Sequence, residues 1–316
     1  MHLSYRPIVS SDLDACWRIA QDNRFYPPLL RSSRTEFWGH LLAAKSAQSI
    51  AVEDLDRSPD TRLRAFSLSV FVTDAFAEAA RTTLSPGIAG HLHAQMSNGD
   101  TPILGQAAIG HANARGGLIL FAGPFGYAAT QTEREQVAAA EMMLACLFHE
   151  HAGYQIKELL LENSLSTRWV ASNATRLHQR TDFSGHFKSH PDLLPPEGEH
   201  PTLYGLTRQE AFENLESRFV PLFLYTRPQF GFRPGEQRLL IQAGRGGTNE
   251  EAAQALSISL SAVKKCWESI YTRVALIEPD LLAASPESEA KRGSEKKNRL
   301  LTYLRQHPEE IRPYAP

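Results

Sequence analysis

The chain has no run of about 18 apolar residues, so no segment is expected to cross a membrane as a helix. Its opening, MHLSYRPIVSSDLDA, lacks a basic stretch followed by an apolar core, so no signal peptide is expected. Cysteine is scarce: Cys16, Cys146 and Cys266 stand far apart and in no metal-ligand spacing. They read as reduced thiols of a cytoplasmic protein, and a disulfide scaffold is excluded. Net charge is also small, formally −2 over 316 residues. It divides unevenly, with 13 Lys and Arg against 11 Asp and Glu from Arg233 onward and 20 against 24 before it. The C-terminal part is slightly basic, far short of the patch that marks a strong nonspecific nucleic-acid binder.

The familiar catalytic and metal motifs are missing as well. There is no His-Glu-x-x-His, Cys-x-x-Cys, Gly-x-Ser-x-Gly or Walker loop. His91 and His93, His149 and His151, and His186, His190 and His200 come in groups without metal-ligand company. They read as surface or second-shell histidines, and no metal site is expected. Nothing places a nucleophile beside a base, so no catalytic residue is assigned and an enzyme is not expected. No cofactor is called, and cofactor-binding residues stay unassigned. Glu133 and Glu135 fall in the first turn of a helix, where its dipole favours them. Phe121–Tyr127 reads as a strand ending in a turn packed on the core, in preference to the wall of a small-molecule pocket.

What is present suits two soluble domains: 42% hydrophobic and 22% charged residues are enough to build ordinary cores. Tyr5–Ile8 suggests a strand, followed by a helix opened by Ser10 and Ser11 and a second helix over Arg34–Ala44. Ser49–Glu53 and Ala65–Val72 read as strands. Pro86–Thr101 reads as a connection and Ile103–Asn113 as a helix. Leu118–Ala122 suggests a buried strand and Gln131–His149 a long helix with Val137, Ala140, Met143, Leu144 and Leu147 inward. A further helix is expected from Ile156, a loop over Asp182–Pro201, and a last strand over Phe219–Tyr225. The opening order of strand, two helices and two strands resembles that of a GNAT acetyltransferase over about the first 75 residues. That family continues with a Gly-rich turn whose N–H groups hold the diphosphate of acetyl-CoA at a helix N-terminus. Arg115-Gly116-Gly117 and Gly123–Tyr127 have neither the spacing nor the position of that turn.

The stretch Pro234–Val274 is more distinctive. Pro234 suits a first helical turn, Gly244-Arg245-Gly246-Gly247 stops the helix, and Thr248 with Glu251 forms a capping box for the next. Ile258 is expected to plug the core and Ser259 to cap a third helix from about Leu260 to Val274. Val263, Trp267, Ile270, Tyr271 and Val274 give that helix one apolar face. These residues resemble the LuxR-type (GerE-type) helix-turn-helix. Pro234, Glu236, Leu240 and Gly246 fit its opening, Asn249–Ala253 its Asn-x-Glu-Ile-Ala, and Leu256–Ser259 its Leu-Gly-Ile-Ser. Ala262–Lys265 and Ile270-Tyr271 fit its last helix. Arg233, Arg238, Ala262 and Trp267 depart from the pattern.

The resemblance implies a major-groove reader with Thr248, Asn249, Ser259, Ser261, Ala262, Lys264, Lys265 and Glu268 at the DNA. The resulting expectation is an α/β sensor-like domain over residues 1–228 (a mixed sheet with helices, GNAT-like in outline). An all-α LuxR-type helix-turn-helix domain with an extended C-terminal helix is expected over 229–316. Together they would act as a cytoplasmic, bacterial-type, sequence-specific transcription regulator. Its partners would be double-stranded DNA, a second copy of the chain, and an unidentified small-molecule effector. The alternative is a GNAT-like acyltransferase or metabolite-binding protein with an accessory helix-turn-helix.

Overall fold

The structure is a computed structural model and describes residues 1–20, 25–129, 131–163, 177–195, 200–283 and 292–315. Seven strands form one mixed sheet in the order β1-β2-β3-β4-β5-β7-β6. They are β1 (Leu3–Arg6), β2 (Ala47–Asp54), β3 (Leu63–Val72), β4 (Leu118–Tyr127), β5 (Ile156–Asn163), β6 (His178–Asp182) and β7 (Thr202–Thr207). All neighbours are antiparallel except β4 and β5, which run parallel.

Helices cover both faces, so the central strands are apolar on both sides. On one face lie α1 (Leu13–Ile19), α2 (Arg34–Ala43), α3 (Asp74–Thr82) and α4 (Ile88–Ser97). Their Leu13, Trp38, Phe76 and Ile88 meet Phe66, Leu68, Val70 and Val72 of β3. On the other face α5 (Gln106–Arg115) and α6 (Glu133–His151) set Ile109, Ala139 and Leu144 against Ala65, Phe71 and Leu120. Alternate residues of β3 thus go to opposite cores, as a period of two requires. Short helices α7 (Ser184–Ser189), α8 (Arg208–Glu213) and α9 (Val220–Phe223) complete this part.

Several sequence expectations are corrected. Ile156–Leu161 is a strand, because its run of apolar residues is buried in both cores. Pro86–Thr101 contains α4, whose first N–H groups are held by a distant carboxylate: Glu162 of β5 accepts from Gly87 and Ile88 at 2.7 and 2.8 Å. Phe219–Tyr225 contains α9, entered through Pro221, whose missing N–H suits a helix start better than a ladder. The expected loop Asp182–Pro201 holds α7 and a 3₁₀ turn over Pro191–Leu193, and its residues 196–199 lie outside the described ones. Val137, expected inward, is 47% exposed.

Past the sheet come α10 (Pro234–Gly244), α11 (Asn249–Leu256), α12 (Leu260–Ile277) and α13 (Arg292–Gln306). They share a third core built on Leu239, Leu240, Val263, Trp267, Ile270 and Leu300. The expected caps are present: Thr248 accepts from Glu251 N at 3.1 Å and Ser259 from Ala262 N at 3.1 Å. Ile258 does not plug this core and is 41% exposed, because Ser257 turns left-handed (φ 53°) and carries the chain outward. Beyond α12 the chain makes a 3₁₀ turn over Pro279–Leu282, and residues 284–291 lie outside the described ones.

A short C-terminal segment joins the helices to the sheet. Arg312 donates to the carbonyls of Ala152 and Glu150 at the end of α6, at 2.9 and 3.0 Å. Asn113 of α5 donates to the carbonyl of Pro313 at 2.9 Å, and Ala315 N reaches Gly110 O at 3.0 Å. Gly153, at φ +83°, lies so close that a Cβ there would sit 2.4 Å from Glu309 N. Glu310, only 1% exposed, accepts from the N–H groups of Gln229 and Phe230 at 2.7 and 3.0 Å. Removing its carboxylate with Glu310→Ala leaves two buried donors unpaired and should cost about 2–4 kcal/mol in urea unfolding. A loss below about 1 kcal/mol would show that the segment is not held this way.

Candidate active site

The site follows from where β4 and β5 part. They pair in parallel only from Leu118 to Phe121 against Ile156 to Leu160. Beyond that point β4 continues along β3 to Tyr127, while β5 follows β7 to Asn163. Pro124 has no N–H to offer a ladder, and the β3–β4 register slips between Ser67 and Ser69 beside it. The result is an opened seam at the centre of the sheet.

An open-mouthed pocket of about 490 Å³, its mouth included, lies at this seam on the α6 side. Ala140, Met143, Leu144 and Leu147 of α6 line it at i, i+3, i+4 and i+7, one helical stripe. β4 adds Ala122 and Phe125, β5 adds Leu161, and Phe219 comes from the turn before α9. Only two lining residues carry hydroxyls, Ser67 and Tyr127. Its lining has the character of small-molecule sites, which are mostly apolar with a few polar groups that fix orientation.

Tyr127 is the group with chemical potential here. It is 7% exposed, and among the described residues its hydroxyl has no hydrogen-bond partner. Burial pushes its phenol above the ordinary tyrosine range, so the proton stays on at neutral pH. Tyr127 lines the pocket, so a bound molecule can supply the missing partner. The sequence contains the signal, an aromatic strand end at Phe121–Tyr127, and reading it only as core packing missed the pocket.

A second hydroxyl pair lies deeper. Ser69 Oγ stands 3.1 Å from His151 Nε2, and His151 Nδ1 stands 2.8 Å from Leu147 O. The carbonyl can only accept, so Nδ1 carries the proton and Nε2 takes the serine hydroxyl. The pattern resembles a nucleophile and base, yet the two side chains are 3% and 1% exposed, with Phe71 edge-on to the imidazole. It fastens the last turn of α6 to β3. His151, expected at the surface or as a second-shell group, is thus a core residue.

Acyltransferase folds of the kind resembled by the opening residues imply acetyl-CoA, with its diphosphate at the N-terminus of the helix after β4. That helix is α6, and its start does not fit the group. Thr132 and Glu135 form a reciprocal capping box, with Thr132 N donating to Glu135 Oε2 at 2.8 Å. Glu133 adds a second carboxylate to the same turn. The Thr132 N–H and hydroxyl, with Arg57, hold Glu135 below the usual carboxylate range, so it is ionised there. Arg57 is committed to Asp54 at 3.2 Å and Glu135 at 2.9 Å. Arg64 nearby is 2% exposed, out of reach of a phosphate in solvent. No glycine occurs between β4 and α6.

The residues expected at DNA are placed as follows. Thr248 and Ser259 are helix caps, and Asn249 Oδ1 accepts from Trp267 Nε1 at 3.2 Å. Ala262 is half-buried, while Ser261, Lys264, Lys265 and Glu268 are exposed on α12. Three of the eight therefore hold the helices together. Lys297 of α13 also turns inward, over the Trp267 ring at 5.4 Å.

The chain matches no protein-family model and no curated protein sequence. Among solved structures it is similar to FeeM, an N-acyl amino acid synthase from uncultured soil microbes. The match has 12% identity and a TM-score of 0.37, over 69% of this chain and 97% of that one. It is similar to the C-terminal condensation domain of Ebony, in complex with beta-alanyl-dopamine, at 14% identity and a TM-score of 0.39, over 66% and 99%. Mutant forms of the spermidine/spermine N-acetyltransferase SpeG from Vibrio cholerae match at 8% identity and a TM-score of 0.39, over 67% and 98%. All three cover about two thirds of this chain. The expectation of a non-enzymatic, DNA-binding LuxR-family transcription regulator is corrected on the fold itself. The larger part of the chain is a sheet with an opened seam and a pocket, where a sensor controlling the helices was expected. Among the described residues no helix is long and apolar enough to cross a membrane.

Proposed function

We propose that this chain is a GNAT-like acyltransferase that holds an acyl thioester at the β4–β5 seam, with the helices from Pro234 onward as an accessory unit. The observation that carries the reading is the open seam beside an apolar pocket lined by Tyr127, whose hydroxyl has no partner among the described residues. The pocket receives the apolar part of the donor and excludes water from the thioester. An acceptor amine attacks the thioester carbonyl carbon, the C–N bond forms, and the C–S bond breaks. The amine loses its proton to water, and Tyr127 gives its phenolic proton to the departing sulfur before regaining one from solvent. The phenol stays protonated at neutral pH, so the proton is in place when charge develops on sulfur.

Thiol release from acyl thioesters, followed with a chromogenic thiol reagent across a panel of amines, tests the reading. Tyr127→Phe keeps the ring and should lower kcat about 100-fold, with a smaller change in KM. A parent protein that releases no thiol with any thioester and amine is not an acyltransferase. If those thioesters nevertheless raise its melting temperature, the pocket binds a metabolite without turnover. That second reading is favoured by one observation: among the described lining residues there is no carboxylate or histidine.

A further inference from the structure

We infer that the donor is recognised by a straight acyl chain in the α6 pocket and not by a nucleotide diphosphate, so that the handle beyond the thioester sulfur contributes little to binding. This rests on the acyltransferase reading and narrows its substrate class. Two independent observations lead to it.

The first is the pocket itself. Its α6 stripe, Ala140, Met143, Leu144 and Leu147, continues along the helix toward exposed Val137. An acyl chain laid along this stripe would be removed from water over its length, with Tyr127 and Ser67 left for the thioester end. An acetyl group would leave most of that apolar lining unfilled. Lengthening the chain should therefore strengthen binding about fourfold per methylene until the pocket is full.

The second is the start of α6. A helix N-terminus attracts anions through free N–H groups and its dipole. Here Thr132 N–H is taken by Glu135 and Glu135 N–H by Thr132, at 2.8 and 3.3 Å. Glu133 and Glu135 bring two negative charges to the turn where a diphosphate would add more. Half-buried Arg57 is already bridged to Asp54 and Glu135, which leaves exposed Arg134, in the same turn between the two carboxylates. A diphosphate would meet one exposed cation, Arg134, against two carboxylates and a capping box that is already closed.

The test compares binding of octanoyl-N-acetylcysteamine with octanoyl-CoA by isothermal calorimetry, adding the hexanoyl N-acetylcysteamine thioester. The two octanoyl thioesters should bind within about threefold of each other, and the hexanoyl compound about 15-fold more weakly. In E133Q/E135Q, where glutamine can still close the capping box, octanoyl-CoA alone should gain affinity, severalfold. Octanoyl-CoA binding tenfold or more tightly than the short thioester in the parent protein overturns this inference and leaves acyl transfer standing. Equal affinity for hexanoyl and octanoyl chains overturns the chain-length part. No binding of any thioester removes both the inference and the acyltransferase reading.

Discussion

Gly126→Ala should destabilise the protein by about 3 kcal/mol and lower its melting temperature by about 6–10 °C. A Cβ at this position would lie 2.0 Å from the carbonyl oxygen of Ile19, 2.6 Å from its carbonyl carbon and 2.9 Å from Ala20 Cα. All three atoms are backbone, so no side-chain rotation relieves the contact, and the bridge between Ala20 and Gly126 must open. Gly126 sits between Phe125 and Tyr127, both of which line the pocket, so thioester affinity should fall along with stability. Gly123→Ala is the internal control: its nearest neighbour is the Phe121 ring at 3.1 Å, a side chain that can shift. Thermal melts followed by circular dichroism decide the matter, and a shift of less than about 2 °C for Gly126→Ala would contradict the close packing of α1 on β4.

The second large effect is on pH. Burial holds the His151 imidazole down at about 4, against 6.5 in a solvated chain, with the Leu147 carbonyl opposing the shift and Arg312 adding to it. A histidine whose folded pKa is depressed stabilises the fold fully above the unfolded value. That stability is lost as pH falls from about 6.5 toward about 4. The shift corresponds to about 3 kcal/mol between pH 7.5 and pH 4. Urea unfolding at several pH values should therefore give a steep acid slope in the parent and a shallower one in His151→Gln. Glutamine can still bond Ser69 and Leu147, so folding is retained. His91, His93 and His186 also have depressed values and remain in both proteins, so the difference between the two slopes isolates His151. Parallel slopes would show that His151 is not sealed in the core.

Local chemistry was legible in the sequence wherever neighbours in sequence decide the structure. The capping box at Thr248, the cap at Ser259, Pro234 at a helix start and the apolar face of α12 all follow from short-range rules. Features set by distant partners were not legible. The strand β5 looks helical because it is apolar on both sides, and only its place between β4 and β7 tells otherwise. The helix α4 begins where a glutamate 75 residues away supplies its cap. The pocket depends on the parting of β4 from β5, a property of register and pairing that no single stretch contains. Reading function from the sharpest local motif therefore favoured the helices, whereas the candidate site lies where long-range contacts build it.

The C-terminal segment has a consequence for how the helices can move. The α10–α13 unit is tied to the sheet at both ends: its entry continues the chain from α9, and at its exit Arg312 bonds the end of α6, while Glu310 clasps exit to entry at Gln229 and Phe230. A body tethered at one end swings, but one tethered at both behaves as a closed ring. Each attachment holds the other at high effective concentration, so breaking one alone releases little freedom and it re-forms readily. Carrying the helices away from the sheet requires the bonds of Arg312, Pro313 and Ala315 to α5 and α6 to fail together, while the Glu310 clasp travels with the helices, which makes the exit a cooperative latch.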